Sequence, residues 1–141
     1  MDLIVYHLGN VNWLAVLLAT FASFVVGGLW YSPVLFGKQW MKEVGLKEKD
    51  MGKDGMVGTF LVTGMLALVM ATGLATLMQA LVLEGWLNGA LLGLLIGVVF
   101  VSANRGVHSL FDRQGGSTLY LINFGHDIVF LMLAGGIIGA L

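Results

Sequence analysis

Long apolar runs separated by short polar connectors set the pattern of this chain. A hydrocarbon core of about 30 Å takes about 20 apolar residues of helix to cross. Four stretches qualify, at about 13–31, 56–82, 86–104 and 118–141. Runs such as Leu91–Val101 show none of the alternation that a barrel strand requires. The pattern therefore predicts an all-α fold, an integral membrane four-helix bundle forming a single transmembrane domain over 1–141. Asn10 or Asn12 is placed to cap the first crossing. The second is long enough to tilt or to project from the membrane. Each half reads as an apolar helix opening near a Trp (Trp13, Trp86), a basic connector and a second helix, which is compatible with two tandem helical hairpins.

The stretch Trp30-Tyr31-Ser32-Pro33-Val34-Leu35-Phe36-Gly37-Lys38-Gln39-Trp40 follows the first crossing and reads as its exit from the bilayer. Tyr and Trp rings suit that depth because they are apolar with one polar tip. Pro33 lacks an N–H and biases Ser32 away from the α region, so the helix ends or kinks there. Lys38 and Lys42 can keep their ammonium groups among the headgroups. Within the connector over 32–55, Lys42–Asp54 reads as a short amphipathic helix ending near Gly52 or Gly55. It is a solvated linker or a lipid-headgroup or partner-docking segment, and Glu43, Glu48, Asp50 and Asp54 dilute its positive charge.

Composition sharpens the membrane reading. Of 141 residues 58% are hydrophobic and 11% charged, with a mean hydropathy of +0.93. A soluble domain carries about 25% charged residues, so this chain cannot cover a water-facing surface. Net charge is −1, which leaves no footprint for nucleic acid. The chain has no Cys, which excludes disulfides, thiolate nucleophiles and Cys-ligated metals. Met1-Asp2-Leu3-Ile4 lacks a basic region, so no cleavable signal peptide is expected. The first connector carries Lys38, Lys42, Lys47, Lys49 and Lys53 and the third carries Arg105 and Arg113, whereas the second has only Glu84. The positive-inside rule then predicts a multi-pass protein of the cell (inner) membrane, with basic connectors cytoplasmic and both termini outside.

Gly85, Gly89, Gly93 and Gly97 recur at i, i+4 along the third crossing. Such a small-residue stripe lets another backbone approach closely, which is how membrane helices gain dispersion contacts. Ala67, Ala71 and Ala75 offer the same spacing on the second crossing, as does Gly135 with Gly139 on the fourth. The stripe serves packing within the chain or within a homo-oligomer.

The residues most costly to bury are Asn123, His126 and Asp127, with Tyr120 one turn earlier. Their i, i+3 and i, i+4 spacing puts them on one side of a helix, and an aspartate at membrane depth costs ~2.5–3.5 kcal/mol on insertion scales. Three readings stay open: hydrogen-bonded helix glue, a proton- or cation-binding transport site, or a haem or chlorin ligand at His126. Thr72 and Thr76 are expected to return their hydroxyls to their own backbone, and Gln79 to partner a polar group such as Glu84. Met65, Met70 and Met78 read as gap-fillers. Asn104 and Arg105 are expected to end the third helix, with Arg105 on a lipid phosphate or Asp112, and His7 and His108 to be interfacial. No phosphate loop, dinucleotide motif or nucleophile–base pair is present, so no catalytic residue, metal ligand or cofactor is assigned.

The runs Asn12–Val16 and Gly27–Met41, with the Trp-Tyr-Ser-Pro-x-x-Phe-Gly-Lys-x-Trp signature inside the second, resemble a family of small integral membrane proteins of unknown function. Phe111-Asp112-Arg113, Leu121–His126 and Gly135–Gly139 resemble its C-terminal half. Asp127 is not part of that pattern. The resemblance implies four membrane helices and supplies no activity. The expected function is therefore non-enzymatic, acting through helix packing in the lipid bilayer as a homo-oligomer or an accessory subunit of a membrane complex. A small transporter or channel using helix four, or a haem- or pigment-binding protein, are the alternatives.

Overall fold

A computed structural model describes residues 2–46, 56–111 and 116–141. Lys47, Glu48, Lys49, Asp50, Gly52, Lys53, Asp54 and Gly55 of the first connector, and Asp112 and Arg113 of the third, lie outside the described residues. The helices are α1 (Asp2–Gly9), α2 (Trp13–Trp30), α3 (Gly37–Val44), α4 (Met56–Ala80), α5 (Trp86–Ile96), α6 (Ala103–Phe111) and α7 (Ser117–Ala140). A six-residue π-helical stretch, Gly97–Ser102, joins α5 to α6 without a break. The fold is all-α, with no strand among the described residues. Trp13–Trp30, Val57–Ala80, Trp86–Phe111 and Ser117–Ala140 are long and apolar enough to cross a membrane. The protein is thus a multi-pass membrane four-helix bundle.

Four boundaries differ from the sequence expectation, each for a local reason. The apolar lead-in is itself helical (α1), and the two asparagines divide the work of ending it and starting α2. Asn10 Nδ2 donates back to the Tyr6 carbonyl at 2.8 Å, while Asn12 Oδ1 accepts from the N–H groups of Leu14 at 3.1 Å and Ala15 at 3.2 Å. The second crossing stops at Ala80, because Val82 adopts a positive φ of 53° and Leu83 N–H turns back to the Met78 carbonyl at 2.9 Å. The third continues to Phe111 rather than ending near Asn104: loss of apolar character marks where the helix leaves the hydrocarbon, not where it unwinds. The connector helix α3 starts at Gly37 and closes at Gly45, whose left-handed φ of 71° suits a residue without Cβ, so the expected Lys42–Asp54 helix is interrupted there, and its residues from Lys47 on lie outside the described residues.

Packing inverts the soluble-protein pattern. Ala15, Ala19, Ala67, Ala71, Ala75 and Ala134 are buried, while Phe21, Phe60, Met65, Val69, Leu91 and Phe100 point outward. Lipid is as apolar as these side chains, so association is driven by close backbone approach rather than by removing apolar surface from water. The most extensive contact is α5 on α7, followed by α2 on α7 and α2 on α4, whereas α4 and α5 barely meet. Each hairpin is therefore a packed pair, and α2 with α7 joins the pairs.

The glycines explain the α5–α7 contact. A Cβ on Gly89 would run into the Gly135 carbonyl, one on Gly93 into the Leu131 carbonyl, and one on Gly139 into the Gly85 carbonyl. Gly97 lies along Ile128, with 3.4 Å between an added Cβ and the Ile128 Cα. Gly85 precedes the helix as its cap at φ 88°, so its role is the turn. The stripe face is taken by the chain's own α7, and the Ala67, Ala71, Ala75 row is buried in the bundle core.

Gly93→Leu is therefore expected to destabilise the single chain itself, by at least the ~1–3 kcal/mol of overpacking. Gly73→Ala, where an added Cβ meets nothing within 4 Å, should be neutral or stabilising by up to about 1 kcal/mol. Thermal melts of the two variants in one detergent decide it; equal melting temperatures would refute the α5–α7 packing.

Candidate functional site

The Trp30–Trp40 stretch is a folded turn, not a loose interfacial strap. Tyr31 N–H caps α2 on the Gly27 carbonyl at 3.0 Å, and the chain then doubles back, with Phe36 N–H on the Trp30 carbonyl at 3.0 Å and Gly37 N–H on the Ser32 carbonyl at 2.9 Å. Ser32 Oγ donates to the Leu29 carbonyl at 2.7 Å. Gly37 is obligatory, because a Cβ there would collide with the Tyr31 carbonyl. The turn packs Trp30 against Phe36 in a tilted pair with ring centroids 4.8 Å apart, and Tyr31 edge-on against Trp40 at 5.5 Å. Pro33 and Lys38 are exposed on its outer side.

This turn grips α7. Trp30 Nε1–H donates to the Ile122 carbonyl at 2.9 Å, and Tyr31 O–H donates to Asn123 Oδ1 at 2.9 Å. The Trp30 ring lies over Gly125, where an added Cβ would come within 2.7 Å of Cζ2. The imidazole of His126 packs against Tyr31 and Trp30, at centroid distances of 5.2 and 6.3 Å. Two segments 92 residues apart in sequence thus form one structural unit.

A charge pair stands next to this unit, joined to it through His126. Arg105 Nε–H donates to Asp127 Oδ2 at 2.9 Å, and His126 Nδ1 lies 3.3 Å from Asp127 Oδ1. Asp127 is 8% exposed, so the guanidinium offsets a charge that would otherwise be stranded at membrane depth. The Arg105 side chain is 43% exposed. Tyr120 O–H donates to the Ser102 carbonyl at 3.3 Å, in the π-helical stretch, and the buried Ser102 hydroxyl has no hydrogen-bond partner among the described residues.

The four polar residues of α7 meet different neighbours yet stay together: His126 and Asp127 are 3.3 Å apart, and Tyr120 and Asn123 share one wall with Arg105. Asn123 and His126 meet the Trp30–Tyr31 turn, while Tyr120 and Asp127 meet the helix that carries Ser102 and Arg105. Arg105 was expected on a lipid phosphate or Asp112; Asp112 lies outside the described residues, and the partner found is Asp127. In the sequence a lone Arg after an apolar run marks the membrane boundary but not the group that its guanidinium reaches. Gln79 Nε2 donates to the Asn10 carbonyl at 2.8 Å instead of reaching Glu84. Thr72 and Thr76 donate to the Leu68 and Thr72 carbonyls of their own helix, as expected.

A cavity of 730 Å³ opens beside the charge pair. Its polar wall is Asn104, Arg105, His108, Ser109, Tyr120 and Asn123, so His108 belongs to it. A second cavity of 530 Å³ sits at the opposite end, around Asn12, Gln79 and Glu84. Buried Ala71, Leu74, Leu131 and Ala134 fill the core of the bundle, and neither cavity is lined by them. No group of three or more His, Asp or Glu able to hold a metal occurs among the described residues.

Over residues 14–139 the chain matches the family described as protein of unknown function (DUF1761), and it belongs to that family. No curated protein and no solved structure matches it.

A double-mutant cycle of Arg105→Ala and Asp127→Ala, followed by reversible unfolding in detergent, should give a coupling energy on the order of 1–3 kcal/mol. Tyr31→Phe, which removes one hydrogen bond and no charge, should lose about 0.5–1.5 kcal/mol. Additive Arg105 and Asp127 effects would show that the pair does not join the helices.

Proposed function

We propose that this chain is a non-enzymatic integral membrane protein that acts by binding, and that its binding site is the cavity lined by Arg105. The carrying observation is the Arg105–Asp127 pair on the cavity's edge. A general base needs a carboxylate free to take a proton from substrate. Here one carboxylate oxygen accepts from Arg105 and the other faces His126 Nδ1, so Asp127 serves to hold the guanidinium in place. By the positive-inside rule the cavity faces the cytoplasmic leaflet of the cell membrane, with both termini outside.

Helix packing contributes to this function by shaping the cavity, since the glycine stripe is engaged inside the chain. Assembly as a homo-oligomer, or as an accessory subunit of a membrane complex, would then use the large outward side chains of α2 and α4. A transporter is the second reading, favoured by the presence of a cavity at each end; the packed core between them speaks for binding without passage. A haem or pigment ligand at His126 has the least support, because Gly27, Trp30 and Tyr31 wall the imidazole in.

The absence of native cysteine makes a single-thiol test clean. Ser109→Cys should react slowly with a maleimide in native membranes and faster once the purified chain is stripped by detergent exchange; equal rates would refute an occupied cavity. In liposomes the wild-type chain should give no proton or anion flux above that of empty vesicles. Flux that Asp127→Asn abolishes at unchanged melting temperature would replace binding with transport.

A further inference from the structure

We infer that the occupant of the Arg105 cavity is an anionic membrane phospholipid, held by its phosphate at the polar wall with an acyl chain along the cavity's apolar side. This deepens the binding reading above and rests on it. Three observations converge.

The first is charge. Among the described residues no carboxylate lines the cavity, whereas Arg105 does, with the imidazole of His108 beside it. A cationic ligand would find no counter-charge on that wall. Arginine offers five N–H donors in a planar fork, and the bond to Asp127 uses the one on Nε. That bond fixes the plane of the guanidinium, and a fork of fixed orientation suits the paired oxygens of a phosphate. The amides of Asn104 and Asn123 and the hydroxyls of Ser109 and Tyr120 add polar groups to the same wall.

The second is the opposite wall. Met70 of α4, Phe100 of the π-helical stretch and Leu119 of α7 line the cavity's apolar side. Phe100 is 66% exposed, so the apolar wall is continuous with the lipid-facing surface of the bundle. A water-soluble anion would leave this wall unused, while an acyl chain would cover it.

The third is depth. Trp86 opens α5, and an interfacial Trp marks a membrane boundary. At 1.5 Å per residue Arg105 lies roughly 28 Å further along the helix, close to the ~30 Å thickness of the hydrocarbon core. Arg105 therefore stands at the opposite boundary, where phospholipid phosphates reside. Trp30 and Tyr31, at the end of α2, mark the same level.

The test uses the purified full chain in a neutral detergent, with native mass spectrometry and thermal melts as readouts. Phosphatidylglycerol should form a discrete adduct and raise the melting temperature, and phosphatidylcholine and glycerol phosphate should do neither. Asn104 is exposed, so Asn104→Asp places a negative charge on the wall without disturbing the core; it should weaken phosphatidylglycerol binding about tenfold. Asn104→Lys should retain binding. Arg105→Gln should lose the adduct, and because that change strands Asp127, the combined Arg105→Gln, Asp127→Asn chain should lose it too while melting closer to wild type.

Equal protection by phosphatidylcholine, equal protection by glycerol phosphate, or no response to Asn104→Asp would each overturn the proposal. A Ser109→Cys thiol shielded in native membranes but unaffected by added phosphatidylglycerol would remove the lipid and leave the binding reading standing. A thiol that is never shielded would remove both.

Discussion

One charge, Asp127, constrains everything around it. A carboxylate on a membrane-crossing helix, one turn inside the level of Asn123 and Tyr31, is unfavourable unless a partner reaches it. No Lys or Arg lies on α7 itself, so the partner must come from another helix. Arg105 can supply it only if the third crossing stays helical beyond its apolar section and α5 lies close against α7. The first condition is met by the continuous helix to Phe111, the second by Gly89 and Gly93, which let the two backbones touch. The glycine stripe and the charge pair are thus two parts of one arrangement: close packing at one end of the α5–α7 hairpin, electrostatic closure at the other.

The π-helical stretch between them has a geometric role. Its turns span one residue more than α turns, so the face that α6 presents is out of phase with the face that the glycines of α5 present. α5 can turn Gly89 and Gly93 to α7 while α6 still directs Arg105 to Asp127 and to the cavity. Within the same stretch the Ser102 hydroxyl is buried without a hydrogen-bond partner among the described residues.

Hydropathy made the all-α four-helix membrane fold and its crossings legible in the sequence, because lipid imposes a length and an apolar composition that little else mimics. The caps at Asn12 and Gly45 follow from local chemistry, but only Asn12 was readable, since Gly45 lay inside the segment assigned to a longer helix. The site was legible in halves. Asn123, His126 and Asp127 stood out by their polarity and the Trp-Tyr-Ser-Pro turn by its aromatics, yet their union was invisible: the Trp30–Ile122 and Tyr31–Asn123 bonds depend on which helices are neighbours, and spacing along the chain carries no such information. Arg105 was missed as a partner of Asp127 for the same reason, compounded by a helix end placed at the loss of hydropathy.

The aromatic turn has a consequence for biosynthesis. Trp30 and Tyr31 enter the membrane with α2, and Arg105 follows with α6, but the groups they bond, Ile122, Asn123 and Asp127, all lie on α7. Chains are made from the N-terminus, so an indole, a phenol and a guanidinium wait at the headgroup boundary until the last described helix arrives. Headgroup water can satisfy them meanwhile, which an apolar depth could not. The native bundle is therefore closed in one late step, and a chain released before α7 inserts would carry three crossings whose polar anchors have nothing to hold.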